Sequence, residues 1–429
     1  MRLPRRAFLK TAGCLTIGFC LTESFIAKAR AAASPGSLGQ PGPLPGDLRE
    51  NPRIDSWLQV LEDGRVRVLT GKIELGQGIR TAVAQMAAEE LDLDMTQVEV
   101  LMAETGVTPD EGYTAGSNSI EASAIAVRYA AAATRQKLLD MAAQKLGTPA
   151  ADLTFSKGAI TARNGNSISL AALLNGKQIS DEVHMPVAIK PKEQHHLVGK
   201  PVPRPDNEPI VFGRPYYVHD LQLPGMVYGR IVRPPVYGVQ LRQIDENAVR
   251  QQFPDLLKIV VNGSFLGVIA TSEYGAIKAQ NLVRKHSKWT EGPLLPKLTP
   301  EQLPDYLRSL PVRSENVHRQ GDLSAATTIK ASYFKPYIMH GAIGPSCAVA
   351  HYENNHLDVW SHSQGAYPLR ESRAALIDLP SKNIHVKGLP GSGCYGHNGA
   401  DDVAADAALL AMAYPGKPVH VQWAREDEH

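Results

Sequence analysis

Cysteine is scarce in this chain. Its 429 residues include four, Cys14, Cys20, Cys347 and Cys394, with no C-x-x-C pair and no C-x-x-C-H. A structural zinc site, an iron–sulfur cluster and a covalently attached haem therefore lack supporting ligand spacing. Cys14 and Cys20 fall in an N-terminal apolar stretch. Cys347 and Cys394 are expected to be two buried free thiols, with a single disulfide between them as the alternative in an oxidising compartment. An excess of one charge is lacking too. Forty-five Lys and Arg stand against 43 Asp and Glu, a formal net charge of +2. No basic run is interleaved with aromatics, so nothing points to nucleic acid. Past Ile26 no apolar run approaches the about 20 residues of a membrane span. G-x-G-x-x-G, the P-loop and G-x-S-x-G are absent, as is any internal repeat.

What is present starts at the N-terminus. Arg5-Arg6-Ala7-Phe8-Leu9-Lys10 precedes an apolar body from Thr11 to Ile26, and Ala27 to Ala33 offers A-x-A cleavage sites. Charged head, short apolar body and small-residue exit make residues 1–33 a signal peptide, and the paired arginines give it a twin-arginine address. The expectation is export of the folded chain to the periplasm. Cargo of that route often carries a cofactor. Residues 34–52, rich in Pro and Gly, read as a leader. The remainder, 43% hydrophobic and 21% charged overall, suits an ordinary globular protein of two or three domains.

Trp57–Leu61 and Arg65–Leu69 flank Glu62-Asp63-Gly64 as a β-hairpin. A helix is predicted from Thr81 to Leu91, a strand over Val98–Met102, and a long Ala-rich helix to Leu146, stopped by Gly147. Pro186 to Pro209 suggests a domain boundary. Beyond it, Gly213–Asp220 and Leu223–Arg233 are predicted as a strand-rich pair, Ile259–Val261 and Phe265–Ala270 as strands, and Tyr274–Leu282 as a helix. Further strands are predicted at Cys347–His351, Leu357–Trp360, Ile384–Val386 and Val419–Trp423, with a helix from Asp401 to Tyr414. The fold class is α+β.

Three segments share one design, a strand, a loop rich in Gly or Ser, then a helix: Gly76-Gln77-Gly78, Gly116-Ser117-Asn118-Ser119 and Gly393-Cys394-Tyr395-Gly396. Glycine lets backbone amides approach a ligand, and a helix start adds free donors and partial positive charge, so such loops can hold phosphate without Lys or Arg. Ser117 and Ser119 add hydroxyls; Gln77 and Gln364 add amides. Any one of these loops, taken singly, is more often a turn with a helix cap, and Ser117 could simply be an N-cap. His195, His196, His340, His362 and His397 lack metal-ligand spacing and read as surface or packed residues.

These segments resemble a known family. Glu74-Leu75-Gly76-Gln77-Gly78 and Thr114-Ala115-Gly116-Ser117-Asn118-Ser119 are similar to the pterin loops of the xanthine oxidase family of molybdenum hydroxylases. Gly393-Cys394-Tyr395-Gly396 sits where that family has Gly-Gly-Phe-Gly. Gly213–Arg233 resembles the start of its hammerhead α/β domain, and Met339–Ser346 the opening of its first molybdenum-binding domain. The order of segments and the export signal match the large subunits of the isoquinoline 1-oxidoreductase, nicotinate dehydrogenase and exported aldehyde dehydrogenase type.

The resemblance implies molybdopterin-binding domains of mixed sheets and helices with an inserted hammerhead domain. Its divisions would be 53–200 as the first molybdopterin-binding portion, 201–310 as the hammerhead and 325–429 as a truncated molybdenum-binding domain. It implies that Gly76, Gln77, Gly78, Gly116, Ser117, Asn118, Ser119, Gln364, Gly393, Cys394, Tyr395 and Gly396 contact a molybdenum-bearing molybdopterin cytosine dinucleotide. It also implies oxidation of N-heterocycles or aldehydes with water as oxygen source, a small partner subunit carrying 2Fe–2S clusters, and a cytochrome c acceptor. The family's base, a glutamate in Gly-x-Gly-Glu, has no counterpart in this sequence, and family large subunits continue for several hundred residues past the match to Glu428. The chain is thus expected to be the N-terminal part of such a subunit, inactive alone, with no catalytic residue assignable. The rival readings are a non-catalytic exported remnant and, less well supported, an exported hydrolase.

Overall fold

The computed structural model describes residues 43–428 apart from 293–295, 316, 317, 319, 321–326, 328, 330, 332, 337 and 397–399. The arginine pair, the cleavage region, most of the leader and His397 lie outside the described residues. Pro45–Val183 with Val187–His429 forms one compact unit, and Pro43, Leu44 and His184–Pro186 group outside it. Among the described residues no helix is long and apolar enough to cross a membrane.

The predicted hairpin forms. β1 (Leu58–Val60) pairs antiparallel with β2 (Val66–Thr70), Leu58 opposite Val68. Gly64, at φ +83, closes the turn by donating to Leu61 O at 2.9 Å. β3 (Val98–Met102) lies parallel to β2. A parallel neighbour requires a crossover, and helix α1 (Ile79–Glu90) supplies it, burying Val83, Ala84, Ala87 and Ala88. A π-helical turn, Ser119–Ala124, runs into α2 (Ile125–Leu146). Its alanine-rich face packs on α1, and Gly147, at φ +61, ends it in the left-handed conformation that suits glycine. A small antiparallel sheet follows, made of β4 (Leu153–Ser156), β5 (Ala159–Ala162) and β6 (Ser167–Ser169).

The segment predicted as a boundary is held down. On α1, Glu89 accepts from the backbone amides of His196, Leu197 and Val198, and Glu90 from that of Lys190. The expectation of a strand over Gly213–Asp220 is overturned. Tyr216 and Tyr217 both donate their amides to the Asp220 carboxylate, at 3.1 and 2.9 Å, which folds the segment into a turn, and Pro215 has no amide to offer a ladder.

The second large sheet has seven strands. They are β7 (Val227–Ile231), β9 (Leu256–Asn262), β10 (Phe265–Ala270), β12 (Cys347–Glu353), β13 (His356–Ser361), β14 (Ile384–Gly388) and β15 (Val419–Gln422), in the order β14-β13-β12-β15-β7-β10-β9. β8 (Leu241–Ile244) and β11 (Ser287–Trp289) pair apart from it. The sheet takes strands from both sides of residues 310–325. Helix α3 (Glu273–Lys285) covers β10 and β7; α4 (Ala366–Ile377) lies by β14; α5 (Ala400–Ala413) covers β12, β13 and β15. Two glycines admit α5: a Cβ at Gly229 would meet Leu410 Cδ1 at 2.5 Å, and one at Gly267 would meet Leu410 Cδ2 at 2.8 Å.

The two large sheets meet at their strand ends. Ala103 donates to Thr70 O at 2.8 Å, and Gly388 donates to Ala103 O at 2.8 Å. In the parallel pair β13–β14, Gly388 lies opposite Ser361. The carboxyl ends of β2, β3, β14 and β13 thus stand in one row, and the loops leaving them emerge together.

Candidate functional site

Parallel neighbours present their outgoing loops on one side, and the crevice beyond those ends is where open α/β sheets bind ligands. Here that crevice receives the loops of residues 71–78, 106–119, 362–365 and 389–396. The structure joins several of them directly. Ile73 N donates to Thr114 Oγ1 at 2.9 Å. Thr114 N donates to Gln364 O at 2.7 Å, and Gln364 Nε2 returns a bond to Thr114 O at 3.1 Å. A Cβ at Gly365 would meet Gly112 O at 3.1 Å, and one at Gly391 would meet His362 Nδ1 at 2.3 Å. Gln364, read from sequence as a lone amide, is a brace between two loops.

The Gly76–Gly78 loop is satisfied from within. The buried Glu74 carboxylate accepts from the amides of Gly76 (2.8 Å) and Gly78 (2.9 Å) on one oxygen and from Arg80 (3.1 Å) on the other. Gln77 folds back: its Oε1 accepts from Leu75 N at 2.6 Å, and its Nε2 donates to Ile73 O at 3.0 Å. The anion at this helix start is the chain's own carboxylate. Charge-assisted bonds of this kind contribute about 1.5–3 kcal/mol each.

The Gly116–Ser119 loop is different. Gly116 (φ +64) and Ser117 (φ +59) are left-handed and exposed, and their amides find no acceptor among the described residues. The π-helical turn beginning at Ser119 adds its own unpaired opening amides. The Asn118 amide, in the orientation that satisfies both its ends, donates to Glu121 Oε1 at 3.1 Å and Gly116 O at 3.0 Å. Asn118 therefore shapes the loop. At the third loop, a Cβ on Gly393 would meet the Tyr395 ring at 2.8 Å and one on Gly396 would meet His340 Nε2 at 2.5 Å. Tyr395 is 57% exposed, at the loop surface.

Behind these loops lies a buried histidine group. His362 Nε2 accepts from Cys347 N at 3.0 Å, and the His219 and His362 rings stand 5.6 Å apart. Burial, then the neighbouring His219, pushes His362 down to about 3. Burial likewise lowers His420 to about 4; its Nε2 lies 3.3 Å from Cys347 Sγ. His362 and His420 are therefore packed, neutral histidines. Both cysteines are free thiols as expected, but only Cys347 is buried; Cys394 is half-exposed and donates from Sγ to Gly396 O at 2.7 Å.

Sequence models of the molybdopterin cofactor-binding domain match residues 34–201 and 310–429 of this chain. The chain belongs to the xanthine oxidase family of molybdenum hydroxylases. A nicotinate dehydrogenase subunit of Pseudomonas putida is 37% identical over 386 residues, 87% of this chain and 32% of that protein. The beta chain of isoquinoline 1-oxidoreductase of Brevundimonas diminuta is 25% identical over 489 residues, all of this chain and 60% of that protein. A membrane-bound aldehyde dehydrogenase (pyrroloquinoline-quinone) of Gluconacetobacter polyoxogenes is 25% identical over 441 residues, 96% of this chain and 56% of that protein. The chain spans 32–60% of the length of these relatives.

The residues present fit a phosphorylated pterin at one loop in particular. Gly116 and Ser117 offer amides that no group among the described residues has taken, just before a π-helical turn. At Gly76–Gly78 the amides of both glycines are already spent on Glu74, so that loop can offer a ligand its shape. Sequence reading passed over Lys72, Glu111 and Arg204, which hold these loops, because the groups they bind lie far along the chain. Lys72, 3% exposed, donates to Glu111 O at 2.6 Å and pairs with Asp47 at 3.7 Å. Glu111 accepts from Thr70 Oγ1, Gly71 N and Ser123 Oγ at 2.7, 2.7 and 3.2 Å. Its Oε1 and Asp47 Oδ2 find no hydrogen-bond donor among the described residues, and a proton shared between the two carboxyls supplies one.

Burial, then the bond with Asp47, raises Glu111 from 4.5 to about 7. The folded state therefore keeps a proton that the unfolded chain releases near 4.5. This group's stabilisation is full below that value, falls as pH rises through the window, and is level above about 7. The loss across the window is on the order of 3 kcal/mol. Glu111→Gln, which needs no proton to donate to Asp47, should flatten it. Urea midpoints at pH 5 and pH 8 measure this: wild type should fall more than the variant, and parallel declines would contradict the shared proton.

Proposed function

We propose that this chain is the N-terminal part of a molybdenum hydroxylase large subunit that binds molybdopterin cytosine dinucleotide and serves oxidation of N-heterocycles or aldehydes. The observation that supports it best is the convergence of the four loops, with untaken amides at Gly116 and Ser117. The bound group would supply the two-electron oxidation, with water as oxygen source.

The chain's own residues bind and orient. The amides of Gly116 and Ser117 and the hydroxyls of Ser117 and Ser119 would hold the anionic part of the cofactor. Gln364 fixes the distance between that loop and β13. Gly393, Cys394, Tyr395 and Gly396 would form the outer wall, and Gly76, Gln77 and Gly78 would border the cradle through their shape. Asn118 keeps the loop's left-handed turn. The sequence offers no cysteine spacing for a cluster, so electrons leave through a small partner carrying 2Fe–2S clusters, with cytochrome c as the onward acceptor. The family's base glutamate would come from sequence not included in this chain.

A second reading, an exported remnant that holds no cofactor, is favoured by the Glu74 carboxylate filling the Gly76 and Gly78 amides. Cofactor content separates the two. Ser117 sits at φ +59, a conformation Asn and Asp tolerate. Ser117→Asn and Ser117→Asp therefore differ in charge and little else. Molybdenum by mass spectrometry and acid-released cytidine monophosphate should be at least about tenfold lower in the Asp variant than in the Asn variant, since a like charge at close range costs more than about 1.4 kcal/mol even at the effective dielectric near a protein surface. Equal contents would place the cofactor elsewhere, and none in wild type would leave the remnant reading.

Export through the twin-arginine route to the periplasm is part of the same proposal. Replacing Arg5 and Arg6 together by lysine should leave precursor in the cytoplasm. Fractionation showing an unchanged periplasmic yield would remove the address.

A further inference from the structure

We propose that Arg204 is a positioning residue for the Gly76–Gly78 loop, setting both its shape and its net charge for the molybdenum pterin; this rests on the cofactor reading above. The loop needs such a holder. Gly76 and Gly78 stand at φ +102 and +87, and two glycines bracketing one residue give a segment with little stiffness of its own. Glu74 fastens its amides from inside. Arg204 fastens it from outside: Nη1 donates to Gly76 O at 2.9 Å, and Nη2 lies 3.4 Å from Glu74 Oε1. Its guanidinium also bounds the loop's far end, 3.7 Å from where a Cβ of Gly78 would stand.

Arg204 is itself fixed. Its Nε and Nη2 fork onto Asp206 at 3.0 and 2.6 Å, and Tyr216 Oη donates to the same carboxylate at 2.9 Å. Asp206 is 3% exposed. The bond from Arg204 holds its carboxyl below the usual range. The planar fork thus bridges Asp206 to Gly76 and Glu74, a geometry lysine cannot reproduce. The charge matters as much as the shape. Glu74 is a buried carboxylate beneath a loop that borders the proposed cofactor cradle, and without Arg204 that charge would stand near an anionic ligand with one fewer counter-charge. The residues concerned lie 128 positions apart, so the staple joins the 201–216 segment to the start of α1.

The test compares wild type, Arg204→Met, Arg204→Lys and Tyr216→Phe in the full chain, expressed in a host that makes the pterin. Amide hydrogen exchange is read over residues 75–80, with β12 and β13 as internal reference, alongside molybdenum and cytidine monophosphate content. Arg204→Met should speed exchange at 75–80 about tenfold or more, leave β12 and β13 unchanged, and lower cofactor content several-fold. Arg204→Lys should recover part of the cofactor content through its charge while the loop stays fast. Tyr216→Phe, a milder change that keeps the fold should Arg204→Met not be recovered, should move both readouts in the same direction by less. Unchanged exchange at 75–80 in these variants would overturn the clamp. Faster exchange with full cofactor content would overturn its role toward the pterin. Wild type without molybdenum would sink the cofactor reading, and the proposal with it, before any variant is compared.

Discussion

The arrangement depends on one main-chain junction. Ala103 gives its amide to Thr70 and takes one from Gly388, so that two sheets built from distant parts of the chain end along a common line. Ala103 itself is left-handed, at φ +50, which turns the chain back along β14. Thr105 then exchanges bonds with Val386, at 3.0 Å from its amide and 2.9 Å to its hydroxyl. The junction tolerates no side chain at residue 388: a Cβ there would meet Ala103 Cβ at 2.7 Å and Ile73 Cδ1 at 2.9 Å. Close backbone approach at that point is what lets four loops share a crevice.

Buried carboxyl groups do most of the holding around that crevice. Glu74, Glu89 and Glu111 are 2, 2 and 9% exposed, and each is spent on backbone amides of a loop or a distant segment. A carboxylate out of water is costly unless several donors reach it. Here the donors are the otherwise unpaired amides of turns and helix starts, so each carboxyl group satisfies groups that would themselves be costly to bury. A loop held in this way keeps its form without a hydrophobic core of its own, which suits a surface that must stay open to a ligand.

Much of the architecture was legible in the sequence, because it follows from short-range pattern. Alternation at Val66 and Val68, the helical stripe through Val83, Met86, Ala87 and Leu91, and Gly147 as a stop each fixed an element within a residue or two, although Met86 is only half-buried and Ala84 and Ala88 take its place in the core. Gly213–Asp220 misled because aromatic and β-branched residues there suggested a strand, whereas Asp220 captured the tyrosine amides. The glycine and serine loops were legible as loops, but their partners were not. Nothing near Gly76 in sequence points to Arg204, and nothing near Gln364 points to Thr114. Nor did the pattern distinguish a loop whose amides are already taken by Glu74 from one, at Gly116 and Ser117, whose amides remain available.

The central claim is that the loops leaving β2, β3, β13 and β14 form one cradle for a molybdenum pterin. Its most direct test is an anomalous difference map at the molybdenum absorption edge from crystals of the cofactor-bearing protein. The account predicts a single peak over the shared strand ends, with pterin density against Gly116–Ser119 and Gln364 and with Glu74 still bonded to the Gly76 and Gly78 amides. A peak away from those strand ends, or cofactor phosphate lying on the Gly76–Gly78 amides in place of Glu74, would contradict it.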